Sequence, residues 1–274
     1  MPAARPRVHP AVWGFDRAAG RYEHGRPDYP YAAIRRLGKA LKIGPGTTTI
    51  ELGAGTGKFT RAWMRLGSAI VAVEPIPGMR RQFARAVPTV PILPGTAESI
   101  PLPDSFADAV VAAQAFHWFR PGPALAEIRR VLRPGGGLGL VWNRPRPDAG
   151  ASWLRDLHQI FRPVWSRSTP SDRHTAWREY FASGRTGFGP LHEAVVPHIQ
   201  LMTPEQLPDR ILSLSRVALL PPRTQAELAR RIRRLAETHP ALRGRRVIRY
   251  PYRTHIYWSY RRPVRSKRSG QIGR

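Results

Sequence analysis

Short apolar runs rich in β-branched residues alternate with segments whose apolar residues recur every three or four positions. Thr47 to Leu52, Ala69 to Val73, Val90 to Leu93, Ala109 to Ala113 and Leu138 to Trp142 are the short runs, and each reads as a buried strand. Between them, Tyr31 to Leu41 aligns Ile34, Leu37 and Leu41. Lys58 to Leu66 aligns Phe59, Ala62, Trp63 and Leu66, and Ala124 to Leu132 aligns Leu125, Ile128 and Leu132. Breakers stand at the joints: Gly44-Pro45-Gly46, Gly67 as a helix stop, and Arg133 to Gly137 as the turn into the fifth strand. Strands that are apolar on both faces and alternate with amphipathic helices predict a doubly wound α/β fold with a mostly parallel sheet covered on both sides.

The rhythm changes after Asn143. Residues 145 to 150 are rich in Pro, Arg and Gly and read as a linker. Leu154, Leu157, Ile160 and Phe161 mark a helix, and residues 182 to 190 are again Gly-rich. Ala194 to Met202 reads as a strand, and Pro204 to Leu214 and Gln225 to His239 as helices. The last strand is Val247 to Tyr260, with Pro251 expected to interrupt it. The two late strands bring the expected sheet to seven, with a helical insertion before them.

Composition narrows the class further. A hydrophobic content of 42% over 274 residues suffices for a sizeable core. No apolar run reaches the ~18 residues of a membrane span, and residues 1 to 10 lack the apolar stretch of a signal peptide, so a soluble cytoplasmic protein is expected. The absence of cysteine excludes disulfides, thiolate zinc sites and cysteine nucleophiles, and no metal is expected. The net charge of +27 invites a nucleic-acid partner. Only Lys39, Lys42, Lys58 and Lys267 among the 45 basic residues are Lys, however, and the Arg residues are scattered. That pattern fits a GC-rich coding bias, with nucleic-acid contact at most weak and non-specific.

The chemistry concentrates in Glu51-Leu52-Gly53-Ala54-Gly55-Thr56-Gly57, a glycine loop between a strand and a helix. Such a loop lets a ligand approach the backbone closely. The dinucleotide fingerprint places a third glycine where Lys58 stands, so a dehydrogenase is disfavoured. Glu51 would sit badly beside a pyrophosphate and suits a cationic ligand instead. Glu74 ends the second strand, where a carboxylate can accept both hydroxyls of a ribose.

Together with Gly95 to Glu98, Pro101 to Asp104, Asp108 to Phe119 and Glu127 to Gly137, these segments resemble class I S-adenosylmethionine-dependent methyltransferases. Within that family the chain is most similar to the small-molecule branch of trans-aconitate and quinone-biosynthesis-type enzymes, over about residues 13 to 143. The resemblance implies S-adenosyl-L-methionine as cofactor and a Rossmann-like methyltransferase fold. It implies that Gly53, Ala54, Gly55 and Gly57 lie along the methionine part near Glu51, and that Glu74 holds the ribose. Pro75 and Ile76 would flank the adenine, with Thr96, Ala97 and Glu98 at its edge and Gln114 near the methionine moiety. Thr96 stands where the family often has Asp, which weakens the contact to the adenine amino group. Tyr22 to Pro30 is similar to the cofactor cap. Tyr22 is a candidate to face the sulfonium, as is Trp118. Arg26 is a candidate for the cofactor, for an anionic acceptor such as a carboxylate, or for a structural ion pair.

This arrangement divides the chain into residues 1–145 as cofactor-binding core with an N-terminal cap, 146–192 as helical insertion or lid, 193–262 as the last strands and helices of the same domain, and 263–274 as a basic disordered tail. Gln114 to Phe119 lacks the Asn/Asp-Pro-Pro-Tyr/Phe segment of adenine- and glutamine-directed N-methyltransferases, which favours an oxygen or carbon acceptor on a small molecule. His117 is the candidate base, having a pKa near neutrality, with His24 behind it. A polar residue packed under the insertion is the alternative reading of His117. The rival function is an RNA or protein methyltransferase that holds its target on the Arg-rich surface. A catalytically silent nucleotide-binding protein is disfavoured by the intact Glu51, glycines and Glu74.

Overall fold

A computed structural model describes residues 25–146, 151–166, 177–184 and 186–263. Tyr22, His24, the rest of the N-terminal arm, residues 167–176 of the expected lid and the tail from residue 264 lie outside the described residues. The elements are α1 (Tyr31–Ala40), β1 (Thr48–Leu52), α2 (Lys58–Trp63), β2 (Ala69–Val73), α3 (Pro77–Ala86), β3 (Ile92–Leu93), β4 (Ala107–Ala113), α4 (Pro121–Val131) and β5 (Leu132–Pro145). They continue with α5 (Ser152–Ser166), α6 (Trp177–Ala182), β6 (His192–Met202), α7 (Leu207–Leu212), α8 (Ser215–Ala218), α9 (Pro222–Thr238) and β7 (Ile248–Tyr260).

The seven strands form one sheet in the order β3-β2-β1-β4-β5-β7-β6. The first five are parallel, and β7 runs antiparallel between β5 and β6. The strand order reverses between β1 and β4, so the carboxyl ends of those strands open the crevice where ligands of open α/β sheets bind.

Each face carries its own core. On one, Ile34 and Leu37 of α1, Phe59 and Trp63 of α2 and Phe83 of α3 pack on Ala72, Val111 and Val141. Gly137 and Gly139 of β5 admit α1 closely: a Cβ on Gly137 would lie 2.4 Å from the Leu41 side chain. On the other face, Leu125 and Ile128 of α4 and Trp177 and Phe181 of α6 cover Val110, Leu140, Trp142 and Tyr257. Each such side chain fully buried contributes about 1.5–3 kcal/mol. A third cluster joins Trp153, Leu154 and Leu157 of α5 to Leu207 and Ile211 of α7, Val217 of α8 and Leu228 and Ile232 of α9, over Tyr250 and Tyr252. This helical cap therefore draws on both sides of β6.

Three expectations are corrected, and one helix is added to them. Pro251 does not interrupt the last strand: β7 pairs continuously with β6 through it. The Pro251 carbonyl accepts from the Arg146 N–H, so that edge of the residue faces the end of β5 and its missing N–H leaves no gap against β6. The Arg133 to Gly137 stretch is part of β5, which starts at Leu132 and absorbs the glycines in an irregularity opposite Ala107 to Ala109. Pro204 to Leu214 is not one helix but a 3-10 turn, Pro204–Gln206, followed by α7. Finally, α3 escaped the reading because it buries only Gly78, Met79 and Phe83 on an otherwise polar helix.

Candidate active site

The glycine loop begins where β1 ends. Gly53, Gly55 and Gly57 have φ of 67°, 59° and 84°, a region that side chains with a Cβ rarely enter. Their surroundings differ. A Cβ on Gly53 would come within 2.7 Å of the Ala115 Cβ, whereas one on Gly55 would meet nothing within 4 Å among the described residues. Gly53 is thus small because protein packs on it, and Gly55 faces open space of the kind a ligand needs.

Two buried carboxyl groups flank this space. Glu51 is 2% exposed, and its Oε2 accepts from the Thr60 hydroxyl at 2.6 Å. Burial pushes its pKa up to about 8, opposed by the Thr60 hydrogen bond and assisted by the charge of Glu74. Glu74 is 4% exposed. Its Oε2 accepts from Gly55 N–H and its Oε1 from Ile76 N–H, each at 2.9 Å. Burial raises its pKa too, against the pull of these two N–H groups and Arg80. The Arg80 guanidinium donates to the Glu74 carbonyl at 2.7 Å and so fixes the strand end. No basic side chain makes an ion pair with either carboxyl group among the described residues.

The remaining candidates sort by what they touch. Ile76 is fully buried and offers its N–H to Glu74. Thr96 to Ser99 is a tight turn closed by two backbone hydrogen bonds of 3.3 Å, with Ala97 buried inside it. Glu98 accepts from the Arg120 N–H at 2.7 Å, tying that turn to the start of α4. Gln114 leaves β4 with φ of 54°, a left-handed conformation costing a non-glycine residue about 1–2 kcal/mol. Its Nε2 donates to the Asn143 carbonyl at 2.9 Å, bridging the ends of β4 and β5. Strain of this kind persists where the surrounding structure enforces it, often at functional sites.

His117 lies in a 3-10 turn, Phe116–Trp118, above β4. Trp142 Nε1–H donates to His117 Nδ1 at 3.3 Å, and the imidazole leans on Trp118 with ring centroids 4.8 Å apart. The lone pair on Nδ1 is thereby used. In the neutral imidazole this bond places the ring hydrogen on Nε2. Phe116 is fully buried against Phe119 and Trp177 and belongs to the core.

Residues 25–30 run as a strap across the site. Gly25 lies so close to α7 that a Cβ would sit 2.4 Å from the Asp209 carbonyl oxygen. The Arg26 guanidinium donates twice to the Ser213 carbonyl, at 3.2 and 2.9 Å. Of the three roles open to Arg26, the described contacts include this structural tie. Asp28 receives Lys58 at 2.9 Å through its carboxylate and Asn143 Nδ2 at 3.1 Å through its carbonyl. Lys58 and Asn143 were not singled out in the sequence. For Asn143 the signal was there, a buried amide ending an apolar strand; it also accepts from Thr254 at 2.7 Å. A separate groove of about 840 Å³ opens between α4 and α6, lined by Leu125, Arg129, Glu179 and Tyr180, and none of the candidate residues lines it.

Residues 50–140 match a family model described as a methyltransferase domain. The chain is 38% identical over 244 residues to an uncharacterised methyltransferase of Mycobacterium tuberculosis, covering 88% of this chain and 92% of that one. It is 35% identical over 123 residues to a malonyl-[acyl-carrier protein] O-methyltransferase of Serratia marcescens, covering 44% of this chain and 48% of that one. Among solved structures it shares its fold with a chain named as a type II methyltransferase from Anaeromyxobacter dehalogenans, with TM-score 0.65, 24% identity, and coverage of 87% of this chain and 99% of that one.

Proposed function

This chain belongs to the class I methyltransferases, and on that premise we propose that it transfers a methyl group from S-adenosylmethionine to an oxygen or carbon atom of a small molecule. The observation that carries the choice of cofactor is the pair of buried carboxyl groups, Glu51 and Glu74, beside the open face of Gly55. Two buried acids with no ion-pair partner among the described residues ionise more readily beside a cation and offer nothing to a pyrophosphate. They suit a ligand that bears positive charge at one end and a diol at the other. When bound, the cofactor would supply a methyl carbon activated by its sulfonium, whose sulfur leaves as a neutral thioether as the acceptor bonds to that carbon.

In this reading Glu51 and the loop from Gly53 to Gly57 receive the methionine part, and Glu74 receives the ribose hydroxyls. The adenine rests by Pro75, Ile76 and the turn Thr96-Ala97-Glu98. The Thr96 hydroxyl has no protein partner among the described residues and is free to accept. Gln114 stands at the methyl end. Holding the reactants in line contributes up to about 7–11 kcal/mol in favourable cases, so the protein has little need of a strong base. His117 would serve as the base for the acceptor's proton once the Trp142 hydrogen bond to its Nδ1 is released. Residues 1–145 would form the cofactor-binding core with its cap, and the strap and helical cap would close over the acceptor.

The small-molecule acceptor is supported by the absence of an Asn/Asp-Pro-Pro-Tyr/Phe segment, and an oxygen acceptor by similarity over 44% of the chain to a protein named as a malonyl-[acyl-carrier protein] O-methyltransferase. Incubation with labelled cofactor at about 0.2 M salt, against metabolite extract and against total RNA, tests it. Label in extracted metabolites is expected. Selective labelling of RNA alone would favour the macromolecular acceptor instead, since non-specific phosphate contacts are largely lost at that salt.

A further inference from the structure

The sheet carries a charged ledge beyond the residues proposed to hold the cofactor. β4 ends at Ala113, opposite Val141, while β5 runs on from Trp142 to Pro145 beside His255 to Tyr252 of β7. At about 3.3–3.4 Å per residue, this two-stranded wall rises ~13 Å above the end of β4. Side chains alternate across it. Trp142 and Arg144 share one face with their cross-strand partners His255 and Arg253. It is the face turned toward His117, because Trp142 bonds to His117 and packs edge-on against Tyr257.

Arg144 and Arg253 are thus direct cross-strand neighbours, with Cβ atoms about 4.5–5.5 Å apart, where like charges destabilise a sheet. Neither makes a side-chain hydrogen bond or an ion pair with any described residue. The strand acid on this face, Glu193, is already engaged by Arg178 at 3.3 Å and by His255 at 3.1 Å. Arg253 is exposed and Arg144 half-buried, so both guanidinium groups can be reached. Arg144 stands two residues beyond Trp142, about 7 Å along the strand, so the ledge and His117 lie within the span of a small metabolite.

We infer that Arg144 and Arg253 seat an anionic oxygen group of the acceptor, a carboxylate or a phosphate, while the acceptor's reactive atom lies toward His117 and Gln114. The inference rests on the methyltransferase reading for the word acceptor; the anion site itself follows from the paired guanidinium groups. Two planar forks side by side can share one such group through paired N–H···O bonds, which returns the repulsion between them as affinity.

The test is a titration at constant ionic strength, followed by the Nε–Hε resonances of the arginines in the full-length protein. Malonate and inorganic phosphate are the probes, each added with S-adenosylhomocysteine present. Saturable shifts of the Arg144 and Arg253 signals at millimolar anion are expected. Affinity should drop at least tenfold in the Arg144→Gln/Arg253→Gln variant and less in Arg144→Lys/Arg253→Lys, which keeps charge but loses the fork. Stronger binding of malonate identifies a carboxylate, and stronger binding of phosphate a phosphate. Signals that never saturate, or equal affinity in wild type and the Gln variant, overturn the site. S-adenosylhomocysteine affinity in the same samples reports separately: it should be equal in all three proteins, and its absence from wild type would sink the cofactor reading while leaving the anion result to stand by itself.

Discussion

Glu51 is the residue on which charge and function meet most directly. Its pKa of about 8 lies above the ordinary carboxylate value, so the folded protein holds this proton more tightly than the unfolded chain does. The stability linked to it is complete below about pH 4.5 and is lost as pH rises through 8. Glu51→Gln should flatten that fall, as denaturant titrations between pH 5 and 9 would reveal; a slope equal to wild type would place the proton elsewhere. The same acid should release a proton when a cation arrives beside it. Calorimetry at pH 7 in buffers of different ionisation heat should therefore show proton release on cofactor binding, and none in Glu51→Gln. The glycines separate packing from binding. Gly55→Ala should cost only the roughly 1–2 kcal/mol of its positive φ, since no described residue meets the new Cβ, yet it should impair cofactor binding. Gly53→Ala should cost more stability by striking Ala115. Glu51, Glu74 and the glycines were legible in the sequence because strand, loop and helix succeed one another there. The left-handed Gln114 and the Trp142–His117 bond were not, because both depend on how β4 and β5 sit side by side.

At the scale of elements, periodicity located most strands and the helices that bury a clear stripe. It missed α3, α6 and α8, and it read Pro204 to Leu214 as one helix where the chain forms a 3-10 turn and then α7. These short or polar elements take their stability from tertiary contact, which a local pattern does not carry. The strap at residues 25–30 falls within the stretch Tyr22 to Pro30 expected as a cap, but its partners Lys58, Asn143, Asp209 and Ser213 were not legible in the sequence. Its two ties should differ in strength. Lys58 to Asp28 is an ion pair with a largely exposed acid and should contribute less than about 1 kcal/mol. Arg26 donates two partly buried, charge-assisted hydrogen bonds, and Arg26→Ala should cost about 1.5–3 kcal/mol of local stability. Hydrogen exchange read at the amides of α7 would show it; unchanged protection there would mean that the strap does not hold the cap.

Over the whole molecule, charge and architecture divide the labour. The net charge of +27 contrasts with two buried acids at the glycine loop. The cofactor end of the crevice thus suits a cation, while the ledge of β5 and β7 suits an anion. Arginines such as Arg230, Arg233 and Arg234 lie exposed on α9, away from the buried stripe of that helix. Their attachment to nucleic acid should fall steeply with salt, by the counterion release that governs phosphate contacts, and should show no sequence preference. Among the described residues no helix is long and apolar enough to cross a membrane. The central claim concerns the crevice itself, that Glu51, the loop from Gly53 to Gly57 and Glu74 together form a seat for S-adenosylmethionine. Isothermal titration of the full chain with S-adenosylmethionine and, separately, with NAD tests it most directly. Micromolar binding of S-adenosylmethionine, weakened by about 1.5–3 kcal/mol in Glu74→Ala, is the predicted result; micromolar binding of NAD with none of S-adenosylmethionine would contradict it.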